Sequence, residues 1–217
     1  IIIKRKNEKS FVLMGRRPMS SSFMPGIYVF PGGVLEKEDL DFSRYFKENI
    51  FTQINEKKVK TKSSIHTKAL LLTAIRETAE ETGLYLSKKI DFNLTSSPNL
   101  NKTWQKFIYN SFFPDTEKLF FFGRAITPST LKKRYHARFF IAFYEDFTGK
   151  VTTNGELENL EWLSLYEAKE KKVADVTEFM INEIIKFDNN YKALYKKKMF
   201  PMFTWRNQKR WIKWDKT

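Results

Sequence analysis

The stretch IRETAEETGLYL, residues 75–86, sets three glutamates within five positions and stops at Gly83. From Thr67 to Thr82 the spacing predicts a helix, and Gly83 is well placed to end it. At about 100° per residue, Glu77, Glu80 and Glu81 share one stripe, while Leu72, Ile75 and Ala79 fall on the opposite side. The helix therefore packs by its apolar side and points the glutamates away from it. Two readings follow. On a solvated face, three like charges repel one another and cations are usually interleaved one turn on. Here positions 84 and 85 are Leu and Tyr, and Arg76 is the one close cation. A hard divalent cation would relieve the same repulsion, because Mg²⁺ takes carboxylate oxygens and keeps waters for a substrate phosphate.

Around this helix the chain alternates between strand and helix signals. IIIKRK reads as a strand entering the domain, and SFVLMGRR as a strand ending in two arginines. PMSSSFMPG is a loop, IYVF a short apolar strand, and PGG at 31–33 a sharp break. Residues 38–65 lack clear periodicity, although DFSRYFKENI allows a helical turn or two. NKTWQKFIYNSFF reads as a helix closed by Pro114. KLFFFGRAIT and ARFFIAFYE have the aromatic content of strands buried on both faces. GELENLEWLSL ends in a strand, and ADVTEFMINEIIKF is apolar at helical spacing. The basic aromatic tail, about 190–217, fits none of these patterns. Such alternation predicts an α/β domain, and 217 residues suit a single one spanning 1–217.

Composition narrows the chemistry. With no Cys there is no disulfide framework and no thiolate metal site. His66 and His136 share no close spacing, which argues against zinc and leaves them as ordinary polar residues. No run of about 18 apolar residues offers a membrane span, and IIIKRK is too short for a signal peptide. The net charge of +14 suggests polyanionic partners. A chain rich in Lys, Asn, Ile and Phe also acquires such a charge from AT-rich coding, so charge alone excludes nothing.

PGG is a turn where the backbone can approach a ligand and bare a carbonyl. From Gly33, five residues lead to Asp39; later come Arg76, Glu77, Glu80, Glu81, Gly83 and Leu84. This resembles the Nudix box: G, five residues, E, seven residues, then R-E-U-x-E-E-x-G-U, with U apolar. The early Glu appears as Asp39 and the first U as Thr78. Arg76 lies 43 positions after Gly33 where the box has 14, so 29 residues are inserted. A box split in this way is similar to the Nudix branch that includes the animal peroxisomal coenzyme A diphosphatase. SFMPGIYVFPGG, ITPSTLKKRYHARFFIAF and GELENLEWLSLYEA resemble that branch as well. So does VADVTEFMINEI, without the proline of the branch's P-P-T element. The likeness covers roughly residues 10 to 186.

The resemblance implies an α/β/α sandwich with a mixed sheet and a helical insertion, about 40–66, inside the box. It implies hydrolysis of a nucleoside diphosphate linked to another moiety, with Mg²⁺ or Mn²⁺ as cofactor. Glu77, Glu80 and Glu81 would supply carboxylate ligands and Gly33 its carbonyl. Glu77, Glu80 and Glu156 form the catalytic set, with Glu77 or Glu156 orienting or deprotonating the water. Arg76, Gly83 and Asp39 take structural places in the box, and Glu36 stands beside Asp39 to support or coordinate. Arg17, Arg134 and Arg138, together with Arg16, are candidates for substrate phosphates, or else for surface ion pairs. Phe23 and Tyr28 either stack on a base or pack locally; Trp162 is read as core.

Coenzyme A or an acyl-coenzyme A, cut to 3′,5′-ADP and (acyl-)phosphopantetheine, is the leading substrate. ADP-ribose, a nucleotide sugar or a dinucleotide is the alternative. A different class is a non-catalytic nucleotide- or RNA-binding Nudix module using the tail. The expected partner is thus a small nucleoside diphosphate derivative, not nucleic acid or membrane, and the chain is a monomer or homodimer. It ends WDKT, with no S-K-L type address, so a cytoplasmic location is expected.

Overall fold

Strand β1 (Ile2–Lys6) turns back into β2 (Lys9–Arg16) through Asn7 and Glu8, both at positive φ. That left-handed pair matches the twist of a two-residue hairpin. The computed structural model describes residues 1–44, 56–89, 100–128, 130–131, 133–188 and 190–216. The main sheet also holds β3 (Tyr28–Val29), β6 (Phe120–Ile126), β7 (His136–Phe143), β9 (Glu158–Ser164), β10 (Met199–Arg206) and β11 (Lys209–Lys216). Its order is β11-β10-β6-β7-β1-β2-β3, with β9 also paired to β2. β1 runs parallel to β7 and β10 parallel to β6, while the remaining pairs are antiparallel. A second, small sheet joins β4 (Leu84–Lys89) to β5 (Phe112–Pro114) and β8 (Phe147–Gly149).

Each face of the main sheet buries its own apolar cluster. On one, α3 (Ser64–Thr82) inserts Leu71, Leu72, Ile75 and Ala79 among Phe121, Phe140 and Phe200. Phe42 of α1 (Lys37–Ser43), Val59 of α2 (Glu56–Val59), and Trp104 and Phe107 of α4 (Lys102–Tyr109) complete that layer. On the other, α5 (Leu165–Glu170) and α6 (Asp175–Ile185) set Leu165, Ala168, Met180, Ile181 and Ile184 against Ile3, Val12, Met14, Phe122 and Ile141. Fully burying each large apolar side chain is worth about 1.5–3 kcal/mol, so both layers are firmly seated. The result is the expected α/β/α sandwich with a mixed sheet.

Several elements depart from their sequence-based bounds. α3 starts at Ser64, before Thr67, because Ser63 caps it: the His66 N–H donates to Ser63 Oγ at 3.2 Å. The helix expected through Phe113 stops at Tyr109, Ser111 takes positive φ, and Phe112–Pro114 pairs with β4 as a strand. The aromatic strands are buried over Phe121–Arg124 of β6 and Phe140–Ala142 of β7, while His136 and Ala137 are exposed. Of the expected insertion, residues 45–55 lie outside the described residues. The tail that fitted no pattern is the β10–β11 hairpin, turned by Asn207 and Gln208 at positive φ. Pro201 inside β10 masks its strand character; it sits against Gly123, at the register shift of β6. Among the described residues no helix is long and apolar enough to cross a membrane.

Candidate metal centre

Arg76 is the hub of the site. Its Nε and Nη2 donate to Asp39 Oδ1 and Oδ2, both at 2.9 Å, and Nη2 also reaches the Val34 carbonyl at 3.0 Å. Nη1 donates to Glu80 Oε2 at 2.8 Å, and Nη2 lies 3.0 Å from Glu77 Oε1. Asp39, fully buried, also receives Thr73 Oγ1 at 2.9 Å, Trp104 Nε1 at 3.1 Å and the Glu36 N–H at 3.1 Å. Burial opposes the Arg76 charge, but Asp39, then Glu77 and Glu80, outweigh it and hold the guanidinium firmly protonated. The resulting network locks α1, α3, α4 and the 32–34 bend together around one cation.

The bend lies directly on the glutamates. Gly32 N–H donates to Glu81 Oε2 at 2.8 Å and Val34 N–H to Glu77 Oε1 at 3.1 Å. A Cβ on Gly33 would fall on the Glu77 carboxylate, so this position takes glycine for close approach. At the far end of α3, Gly83 adopts φ 70° and closes the helix with its N–H on the Ala79 carbonyl at 3.0 Å. The 150–152 segment packs so tightly there that a Cβ would strike Thr152 and the Lys150 carbonyl. Thr152 N–H bonds the Thr82 carbonyl at 2.8 Å, and the loop that follows delivers Glu156.

Oxygens of Glu77, Glu81 and Glu156 come within 4.8 Å of one another. Glu77 and Glu81 are buried and Glu156 is exposed. The glutamates thus leave the packing face of α3, as expected, but meet the bend and not open solvent. Burial pushes Glu77 up to about 7, against the pull of Arg76, with Glu80 and Glu156 adding repulsion. Burial likewise pushes Glu81 up to about 8, against the Gly32 N–H, while Glu77 and Glu156 repel it further. Arg76 and Arg17 offset this gathering of carboxylates only in part. Such an all-oxygen donor set suits a hard divalent ion, and Glu77, Glu81 and Glu156 are the residues placed to hold one. Glu80 is turned to Arg76 and lies outside the trio.

Beside this centre opens a cavity of about 1580 Å³. Arg17, Arg134 and Arg138 all line it. Arg17 Nε is anchored on the Phe23 carbonyl at 2.8 Å, and its charge reaches Glu81. Arg16 instead pairs with Glu158 at 2.8 Å. Phe23 lines the cavity and meets Tyr135 at 5.4 Å between ring centroids. Tyr28 packs under the Lys171 ammonium, and Trp162 sits half-buried against Tyr144. Two groups of lining residues escaped the sequence reading: His66 with His136, and the hairpin tip Trp205–Gln208. No local signal joins them: His66 comes from α3 and His136 from β7, and the hairpin tip reaches the cavity through the pairing of β10 with β6.

Among solved structures, a NUDIX hydrolase from Alicyclobacillus acidocaldarius superposes with a TM-score of 0.65 at 20% identity, covering 89% of this chain and 92% of that one. A mutator MutT protein from Bacillus halodurans superposes with a TM-score of 0.50 at 13% identity, covering 97% and 94%. The fold is therefore that of the Nudix hydrolases. No protein-family model matches the chain. Among curated proteins, the acyl-coenzyme A diphosphatase NUDT19 of Xenopus laevis is 32% identical over 108 residues, 41% of this chain and 28% of that protein. The chain thus carries the Nudix hydrolase fold, with a split Nudix-type box assembled around Arg76, and it spans 28% of the length of that curated relative.

Proposed function

We propose that the chain acts as one domain that hydrolyses the phosphoanhydride of a nucleoside diphosphate derivative. The observation that carries this is the trio of carboxylates, Glu77, Glu81 and Glu156, held against the Gly32–Gly33 bend at the edge of a large cavity. Mg²⁺ or Mn²⁺ bound there supplies charge neutralisation for the phosphate oxygens and acidifies water. Glu77, Glu81 and Glu156 would be its side-chain ligands, with Glu80 in reserve on Arg76 and the Gly33 carbonyl beside them. Glu77 or Glu156 accepts a proton from the attacking water as oxygen bonds to one phosphorus and the P–O–P bridge breaks. Arg17, next to Glu81, meets the phosphate charge, and Arg134 and Arg138 line the same space.

Coenzyme A or an acyl-coenzyme A is the substrate we favour, supported by the likeness to the Xenopus laevis acyl-coenzyme A diphosphatase. ADP-ribose, nucleotide sugars and dinucleotides are the competing substrates. The reading as an RNA-binding module loses support because the tail is no free arm. Its Asp215 is buried on Arg124, at 2.9 and 2.7 Å, and Arg210 is tied to Asp175 and Glu178 of α6.

The test is turnover of a diphosphate panel with Mg²⁺ or Mn²⁺, with products identified by mass. Glu81→Gln is expected to lower kcat by a hundredfold or more, on the order of 3 kcal/mol at the transition state, with an unchanged circular dichroism spectrum. Wild-type turnover by that variant would remove the carboxylate centre from the chemistry.

A further inference from the structure

The cavity has a second charged end. His66 opens a stripe of α3, continued by Leu70, Ala74 and Thr78, that lines the cavity towards the glutamates. At 1.5 Å per residue, the step from His66 to Glu77 spans about 16 Å of helix axis. On the facing strands, Ile126 pairs with His136 and Arg124 with Arg138, so His136, Arg138 and Arg124 share one face of the sheet.

Both arginines at this end are fixed in place. Arg138 donates to the carbonyls of His136 at 2.7 Å, Lys60 at 3.0 Å and Val59 at 3.4 Å. Arg124 is held by Asp215 and sets Nη1 3.2 Å from His136 Nε2. A guanidinium only donates, so Nε2 accepts and the proton of neutral His136 sits on Nδ1 as a donor. Among the described residues the His66 ring has no hydrogen-bond partner, and it sits in the first turn of α3, where the helix is electropositive. Desolvation comes first, then Arg138 and Lys62, in holding His66 below its usual basicity. The same cause, with Arg138 and Arg124, pushes His136 down to about 4, even though the residue as a whole is exposed. Burial and Arg124 push Arg138 down to about 10. Among the described residues, Asp215 is the acid whose charge reaches His136, and it is already taken by Arg124, while Asp175, which also lines the cavity, is paired with Arg210. Positive potential here is uncompensated, the reverse of the glutamate end.

We propose that this end of the cavity seats a second anionic group of the substrate, a phosphate monoester held by His66, His136 and the charge of Arg138 and Arg124. In naming the substrate class the inference rests on the phosphoanhydride reading: the compound carries a diphosphate at the glutamates and a separate phosphate on the ribose of the same nucleotide. The binding itself does not need that reading.

The experiment therefore has two arms. In EDTA, calorimetric titrations compare 3′,5′-ADP with 5′-AMP on the wild type, the His66→Ala/His136→Ala double variant and Glu81→Gln. The expected result is a tenfold or greater preference for 3′,5′-ADP that Glu81→Gln keeps and the double variant loses. His136→Gln, which retains an N–H donor, keeps part of the preference and stands in if the double variant does not fold. With Mg²⁺ present, the ratio of kcat/KM for coenzyme A over 3′-dephospho-coenzyme A is tenfold or more in the wild type and falls towards one in the double variant. No preference in the wild type, or one that survives in the variants, overturns the proposal. A wild type that binds 3′,5′-ADP selectively yet cleaves no diphosphate keeps the anion seat and defeats the phosphoanhydride reading instead.

Discussion

Among the described residues two arginine–aspartate pairs are buried, and they are built differently. Asp39 is fully enclosed and takes donors from Arg76, Thr73, Trp104 and the Glu36 backbone. Asp215 takes both nitrogens of Arg124 on a single oxygen, with side-chain exposures of 11% and 9% for the two partners. The Arg76 network is closed and immobilises the glutamates; the Arg124 pair staples the C-terminal hairpin and still spends a nitrogen on His136, facing the cavity. A buried ion pair can therefore serve rigidity in one place and presentation in another, and the number of satisfied partners tells which.

The contrast should be largest in stability. Asp39→Ala leaves the Arg76 charge buried without its main partner and is expected to cost about 3–5 kcal/mol, read from denaturant midpoints. Asp215→Ala should cost less, about 1–3 kcal/mol, because Arg124 can recover water; equal losses would erase the distinction. Next comes Gly33→Ala, which forces its methyl onto the Glu77 carboxylate. Its turnover should fall at least tenfold, about 1.4 kcal/mol or more, with metal affinity weakened in the same titration and Asp39 undisturbed.

The third expectation concerns pH. Folded Glu77 and Glu81 hold protons up to about 7 and about 8, above the ordinary value of 4.5 they regain on unfolding. Between roughly pH 5 and 8 the metal-free native state thus binds more protons than the unfolded one, and its stability falls as pH rises through that window. Mg²⁺ or Mn²⁺ should cancel the fall, giving a melting temperature increment that grows with pH; a pH-independent increment would contradict it. The smallest effect belongs to Arg210→Ala. Its exposed pairs with Asp175 and Glu178 are worth under about 1 kcal/mol, so the Tm should shift by only a few degrees.

What was legible in the sequence was what lies within one helix. Glu77, Glu80, Glu81 and the Gly83 stop are spaced locally, and α3 carries that spacing into space unchanged. The partner of Arg76 was legible only through the box pattern, because 36 residues separate it from Asp39. Trp104 on Asp39 left no trace, since it reaches across from another helix. Glu80 was grouped with its neighbours by helical angle, yet it turns to Arg76, a choice that depends on where the guanidinium is pinned. The tail went unplaced because Pro201 breaks strand patterning and its parallel partner, β6, lies far upstream.

Because α3 carries His66 near its start and Glu77 and Glu81 near its end, the basic end of the cavity and the glutamates beside its other end ride on one rod. Hydrogen-bonded turns do not stretch, so their separation works as a fixed gauge and loop movement cannot reset it. On the proposed reading, compounds would be sorted by the distance between their own charges, and any tuning for longer or shorter ones would fall to the opposite wall.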